Sequence, residues 1–337
     1  GKDPAETVDY PKFLSAKILE AIAESKQGAA PIELDAGRTF KWGLSFNRRF
    51  YMKDGAVVFN PGKLNTNIVR SAGLTDPEVM LLRFRLVGAK NPLAIMTSFA
   101  LHLDTTGGTE YSADYPFYLE RTIQKALGEK VVSIFATGTC GDINHIDVAS
   151  GRPQKGGEEA ARIGGALGDA VLQALPQLAS ISQPMLASRY EQVRAPLQEF
   201  SAEQITRARA LLEKVGTSSL SFLGQVEAYK INDVEELRRR SGSMLPMDVQ
   251  VFRLDRNTAF VCLPGEVFVD IGLAIKRASP FRETFVIELC NDDIGYVPTR
   301  RAFQEGSYET VNSRIQPGGG EKLVESAVKL LKELHGP

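Results

Sequence analysis

Apolar positions recur at helical spacing in some stretches and form short runs in others, so helices and strands alternate from one end of the chain to the other. Tyr10 to Ser25 places Phe13, Ile18, Leu19, Ile22 and Ala23 on a helical repeat, and Pro31 to Leu34 then opens an extended segment. Val79 to Val87 alternates, whereas Pro92 to Leu101 is almost continuously apolar. This is the pattern of an edge strand beside an interior one, joined through Gly88-Ala89-Lys90-Asn91. Asp114 to Leu127 predicts a helix, Lys130 to Ala136 a buried strand, and Gly156 to Leu178 a long amphipathic helix whose small residues suit close packing. Ser201 to Lys214 and Val234 to Arg240 predict a charged helical region. Met247 to Leu254 and Thr258 to Leu263 predict strands, followed by a helix over Glu266 to Arg277, a strand over Thr284 to Cys290 and a closing helix over Glu321 to Leu334. Asn47 to Asp76 interrupts this order with Asn, Gly, Pro and Asp, and is too long for a simple connector. The expected fold is a layered α/β one, a mixed β-sheet flanked by helices, in a single main domain over residues 1–337.

Composition narrows the function classes. The 337 residues are 43% apolar and 24% charged, enough to bury a large core and unlike a disordered chain. Forty basic against forty-one acidic side chains leave a net charge of -1, so no nucleic-acid partner is indicated. No apolar run approaches the roughly 20 residues of a transmembrane span, and Gly1-Lys2-Asp3-Pro4 lacks the apolar core of a signal peptide. Cys140, Cys262 and Cys290 lie far apart with no Cys-x-x-Cys pair, so neither a disulfide framework nor a thiolate zinc site is expected.

Candidate chemistry gathers at four strand ends. His102 follows an apolar strand and precedes Asp104-Thr105-Thr106-Gly107-Gly108. It reads either as a functional imidazole at the end of a sheet strand or as a histidine that caps the strand. Ala136 to His145 crowds glycines and polar groups after a second strand, where Cys140 is either a nucleophile served by His145 or His102, or a buried structural cysteine. Glu266 in Leu263-Pro264-Gly265-Glu266 reads as a helix-dipole partner or as a metal or base carboxylate. Tyr296 closes the fourth segment, Asn291-Asp292-Asp293-Ile294-Gly295-Tyr296, with Tyr308 twelve residues on. Pro317-Gly318-Gly319-Gly320 reads as an anion-binding turn or, more simply, a loop. The His335 imidazole is terminal. No nucleophile elbow, phosphate loop, His-Glu-x-x-His helix or dinucleotide fingerprint is present.

Six segments taken in order resemble the neutral/alkaline, non-lysosomal ceramidase family. They are Asn47-Arg48-Arg49, Phe99-Ala100-Leu101-His102, Ser112-Ala113-Asp114-Tyr115-Pro116, Gly141-Asp142-Ile143-Asn144, Leu263-Pro264-Gly265-Glu266 and Gly295-Tyr296-Val297-Pro298-Thr299. The resemblance covers most of the chain and is greatest to shorter bacterial relatives that have the catalytic domain without a C-terminal immunoglobulin-like domain. It implies a zinc-dependent amidase that cleaves the N-acyl bond of ceramide into fatty acid and sphingoid base, with a small-molecule or lipid substrate. By resemblance His102, Glu266 and Tyr296 hold one zinc ion, joined by a histidine that the family carries upstream in a Thr-His-Thr-His type motif not found in this sequence. Tyr308 would polarise the substrate carbonyl, Arg48 would line the site, and Asp104, Asp114, Gly141 and Asp142 would surround it. Asn144 departs from the family, which has a serine there; an amide can still donate to a carbonyl oxygen, as in oxyanion holes. N and O donors suit zinc, which acidifies bound water to a pKa of about 7 and polarises a carbonyl. The resemblance also implies a periplasmic or extracellular location. Two rival readings are a non-catalytic relative that binds a glycan or lipid, and a metal-free cysteine hydrolase built on Cys140.

Overall fold

The computed structural model describes residues 7–215 and 220–336; Gly1-Lys2-Asp3-Pro4 therefore lies outside the described residues. Helix α1 (Tyr10–Gln27) leads into strand β1 (Ile32–Phe40), and four short strands follow: β2 (Phe46–Asn47), β3 (Arg49–Met52), β4 (Val57–Phe59) and β5 (Ile68–Ser71). Then come β6 (Glu78–Leu86), β7 (Ala94–Phe99), α2 (Asp114–Leu127), β8 (Val132–Thr137), β9 (Ile143–Asn144), α3 (Gly156–Ala174) and β10 (Ala179–Ser180). The second half runs β11 (Ala187–Pro196), α4 (Ala202–Leu212), α5 (Phe222–Ser241), β12 (Met244–Arg253), β13 (Thr258–Cys262), β14 (Glu266–Val267), α6 (Val269–Ala278), β15 (Glu283–Ile287) and β16 (Tyr296–Val297). It ends on α7 (Arg300–Glu305), α8 (Tyr308–Val311) and α9 (Gly319–His335).

Strand alternation explains the layers. The first sheet has the order β10-β1-β6-β7-β8, antiparallel except for the parallel pair β7 and β8, whose crossover is α2. On β6, Val79 and Leu81 point into a cluster with α2 and α3 (Leu119, Ile123, Ile163, Leu167), while Met80 and Leu82 point the other way. The second sheet has the order β11-β12-β13-β15. Ala259 and Val261 on β13 pack toward α6 and α9, and Phe260 points back toward Met80, Leu82 and Phe285. The result is a helix, sheet, sheet, helix stack, and the cluster between the sheets, with Phe260 stacked on Phe285 at 4.4 Å, joins both halves into one α/β unit. No helix among the described residues is long and apolar enough to cross a membrane.

Several expectations change. β6 lies inside the sheet between β1 and β7 rather than at an edge, because β1 covers its outer side over its whole length. β8 is the end strand and only partly covered: Val132 is 51% and Ile134 40% exposed, on the face that the second sheet does not reach. Asn47 to Asp76 is a built structure, the three-stranded sheet β4-β3-β5, with β2 paired to β9. β11 has no clear signal in the sequence, since most of its side chains are exposed or half-buried along the sheet edge. Gly319 and Gly320 are the first residues of α9 rather than a loop before it, and both are closely packed. A Cβ on Gly320 would meet Ile271 Cδ1 at 2.5 Å and the Pro298 carbonyl at 3.0 Å. The His335 ring rests edge-on against Phe281.

Candidate active site

The site forms where the polar ends of β7, β8, β13 and β15 meet. The sequence places Glu266 at the start of a helix, and the structure corrects this: Glu266 is in the two-residue strand β14, and α6 begins three residues later. Its register partner on the parallel strand β16 is Tyr296. Both side chains therefore leave the same side of one ladder. His102, three residues beyond β7, reaches the same spot, with Nε2 2.8 Å from Glu266 Oε2. Burial draws the His102 imidazole down, but its bond to Glu266 together with the charges of Glu288 and Glu266 more than offsets this, and the net shift is upward. Burial pushes the Glu266 carboxyl up, and the combined pull of His102, Tyr296 and Arg48 leaves it below its ordinary range. The Nδ1 atom of His102 is buried and has no partner.

Arg48 forms the adjoining wall. Its Nη2 donates to the Gly141 carbonyl at 2.7 Å and its Nε to Glu309 Oε1 at 2.9 Å, and the guanidinium lies within 6 Å of the rings of Phe59, Tyr296 and Tyr308. Burial opposes its charge, yet Glu309 and Tyr296 together raise its pKa, so it stays cationic. Tyr308, the first residue of α8, has its ring against Phe59 (4.7 Å), Tyr296 (5.5 Å) and Phe222 (5.6 Å), and its hydroxyl accepts from Asn312 Nδ2. Burial pushes the Tyr296 phenol far up, so it is neutral.

The other expected residues support these. Gly141 donates to the Val267 carbonyl at 2.8 Å, and a Cβ there would lie 2.5 Å from the Glu266 carbonyl oxygen, so only glycine lets the segments approach this closely. Asp142 accepts from Asn47 Nδ2 (2.7 Å) and the Val269 N–H (2.8 Å); complete burial raises its pKa to about 6. Asp114, at φ 51°, accepts from Thr105 and Thr106 and ties the segment after His102 to α2. Asp104 takes the Nδ1 side of His145, whose Nε2 faces the Gln154 carbonyl, so both nitrogens of that imidazole are engaged and it is no base for Cys140. Asn144 is buried with its Nδ2 donating to Asn60 Oδ1 and its Oδ1 accepting from the Ile146 N–H, which leaves one amide N–H. Cys140 is fully buried, and its thiol donates to Glu288 Oε1 at 3.0 Å. Burial and that carboxylate push the thiol well up, the opposite of what a nucleophile needs, and this overturns the cysteine-hydrolase reading.

No family model matches the chain, and no curated protein matches it. Solved structures do. Neutral ceramidase from Pseudomonas aeruginosa superposes with a TM-score of 0.67 at 17% identity, over 94% of this chain and 54% of that one. A ceramidase complexed with C2 gives 0.64 at 16% identity, over 92% and 55%. The chain has a ceramidase-like fold. It spans about half the length of the ceramidase chains it matches.

On this ceramidase-like fold two carboxylates matter that sequence reasoning misses. Glu309, with no exposed surface, accepts from Arg48 Nε and from Arg49 Nη1 (3.0 Å), while Arg49 also reaches Glu305. Its only signal is its place beside Tyr308. Glu288 accepts the N–H groups of Cys140 (3.0 Å) and Val267 (2.8 Å), and burial raises its pKa to about 7. A glutamate closing the apolar run Phe285-Val286-Ile287 is the available clue.

Proposed function

We propose that the protein is a zinc-dependent hydrolase of an amide or ester bond, of the ceramidase kind, whose substrate is an N-acylated lipid such as ceramide, cleaved to fatty acid and sphingoid base. The observation that carries this is the convergence of His102, Glu266 and Tyr296, from separate strand ends, on one spot walled by Arg48 and Tyr308. An imidazole, a carboxylate and a phenol are donors that zinc accepts. Among the described residues no group of three His, Cys, Asp or Glu side chains could hold a metal ion, and the proposal accordingly takes the phenol as the third donor on this chain. The chemistry zinc supplies when bound is polarisation of a carbonyl and acidification of a water to a pKa of about 7.

The chain's own residues do the rest. Arg48 is a fixed cation in a dry, aromatic-lined position, suited to a developing oxyanion without reorganisation. Tyr308 accepts from Asn312, which leaves its O–H to donate toward the same oxygen. Beside Asn144 a cavity of about 440 Å³, lined by Asn60, Ile146, Val148 and Pro153 among others, offers an apolar surface for an alkyl portion of the substrate. A periplasmic or extracellular location goes with this reading.

His102→Ala and Glu266→Ala should each lose bound zinc by elemental analysis and lose turnover of a fluorescent N-acyl sphingosine. Zinc retained in both variants would overturn the assignment. The engagement of Asn144 on both sides of its amide favours a second reading, a relative that binds a glycan or lipid without cleaving it. A panel of amides and esters left intact by the zinc-loaded protein would select that one.

A further inference from the structure

We propose that Cys262 and Cys290 are a redox-active pair that closes to a disulfide by exchange with a small-molecule disulfide, locking together the two turns that carry Glu266 and Tyr296. The sequence gives no hint of a pair, and the fold creates one. Cys262 ends β13, and Cys290 lies just past β15, its parallel neighbour. The Cys290 N–H donates to the Leu263 carbonyl at 2.9 Å, and its thiol folds back over the carbonyls of Ile287 (3.6 Å) and Glu288 (3.7 Å). Cys262 is the register partner of Ile287, and the Leu263 N–H donates to that same Ile287 carbonyl at 2.9 Å, so the Cys290 thiol turns back onto the rung that Cys262 occupies. Both are half-buried and free, unlike Cys140, which is sealed in the core against Glu288.

The surrounding backbone gives the pair its consequence. Leu289 (φ 55°) and Asn291 (φ 67°) flank Cys290 in the left-handed region, a strained arrangement for a leucine. Leu289 N–H bonds to Gly265, Gly265 N–H to Asp292, and Glu266 N–H to Gly295, so the turn before Glu266 and the turn before Tyr296 are one platform. A covalent link between residues 262 and 290 fixes the base of that platform.

The exchange balances without any other reagent. The Cys290 thiolate attacks one sulfur of oxidised glutathione and expels one glutathione thiolate, which takes up the proton that Cys290 lost. Cys262, deprotonated in turn, attacks the Cys290 sulfur of the mixed disulfide and expels the second glutathione, which takes up that proton. Two protein thiols are oxidised and one glutathione disulfide is reduced to two thiols.

Reduced full-length protein incubated with oxidised glutathione, then alkylated and weighed intact, should lose two hydrogens and two alkylatable thiols, and should give a linked peptide containing Cys262 and Cys290. Its melting temperature should rise by roughly 5 °C and return on adding dithiothreitol. Cys262→Ser should instead accumulate a stable glutathione adduct on Cys290, because nothing remains to resolve it. Wild-type protein that stays glutathionylated at either position, keeps both thiols alkylatable, or yields a linked peptide containing Cys140 would overturn the proposal.

Discussion

Replacing Glu309 tests whether the candidate site is held by its buried ion pairs. Glu309 is the only carboxylate paired with Arg48 among the described residues, and it also pairs with Arg49; the exposures are 0% for Glu309, 4% for Arg48 and 2% for Arg49. Glu309→Gln keeps the size but turns an amide N–H₂ toward one guanidinium and removes the charge facing both. Arg49 keeps Glu305 at 3.2 Å, so the uncompensated charge is that of Arg48. Breaking one buried pair in this way costs about 3–5 kcal/mol, a large share of the roughly 5–15 kcal/mol that holds a typical domain folded. The single tryptophan, Trp42, is 70% exposed, so far-ultraviolet circular dichroism in urea is the better probe. The variant should unfold at clearly lower urea with an unchanged slope, and Glu309→Leu combined with Arg48→Met should recover part of the loss, because that pair of changes removes both charges. A Glu309→Gln protein within about 1 kcal/mol of wild type would refute the reasoning, since it would mean that Arg48 finds water or another partner at no cost.

Two further outcomes follow from the same geometry. Gly141→Ala should destabilise by about 1–3 kcal/mol in thermal melts and, under the proposed function, lower hydrolysis more than any loss of folded protein explains, because the added Cβ meets the Glu266 backbone at 2.5 Å. Gly165→Ala, on the open side of α3, should be neutral or slightly stabilising, and equal effects from the two changes would discredit the steric argument. In metal-free protein, stability should fall between about pH 5 and 8. Asp142 and Glu288, raised to about 6 and about 7 by burial, hold protons in the folded state that the unfolded chain has already released, so each favours folding less as pH rises. His102 and His145 act in the same direction: burial lowers both, the bonds and charges around them together more than offset it, and their contribution is lost as pH climbs through the raised values. A urea midpoint that climbs steadily over this range would count against these assignments.

What can be read from the sequence, and what cannot, divides along physical lines. A polar cluster after an apolar run is a local signal, so the strand ends at His102, Asp142, Glu266 and Tyr296 are legible in the sequence alone, as are α1, α2 and α9. What holds those ends in place is long-range and leaves little local trace. The strand nature of Glu266 exists only through Tyr296, thirty residues on, and Glu309 is buried only because Arg48 and Arg49 arrive from the opposite end of the chain. Cys262 meets Cys290 only because β13 and β15 run parallel. Asn144 reads as a free donor in the sequence and is largely committed to Asn60, in a segment whose irregular composition conceals a small sheet. Groups that carry chemistry must keep their residue type wherever the chain turns back, whereas the groups that position them are chosen by a partner hundreds of residues away. Substitutions at Gly141, Asp142 and Glu309 should therefore disturb the site as surely as those at His102 or Glu266, but through altered geometry and stability rather than through the loss of a group proposed to react.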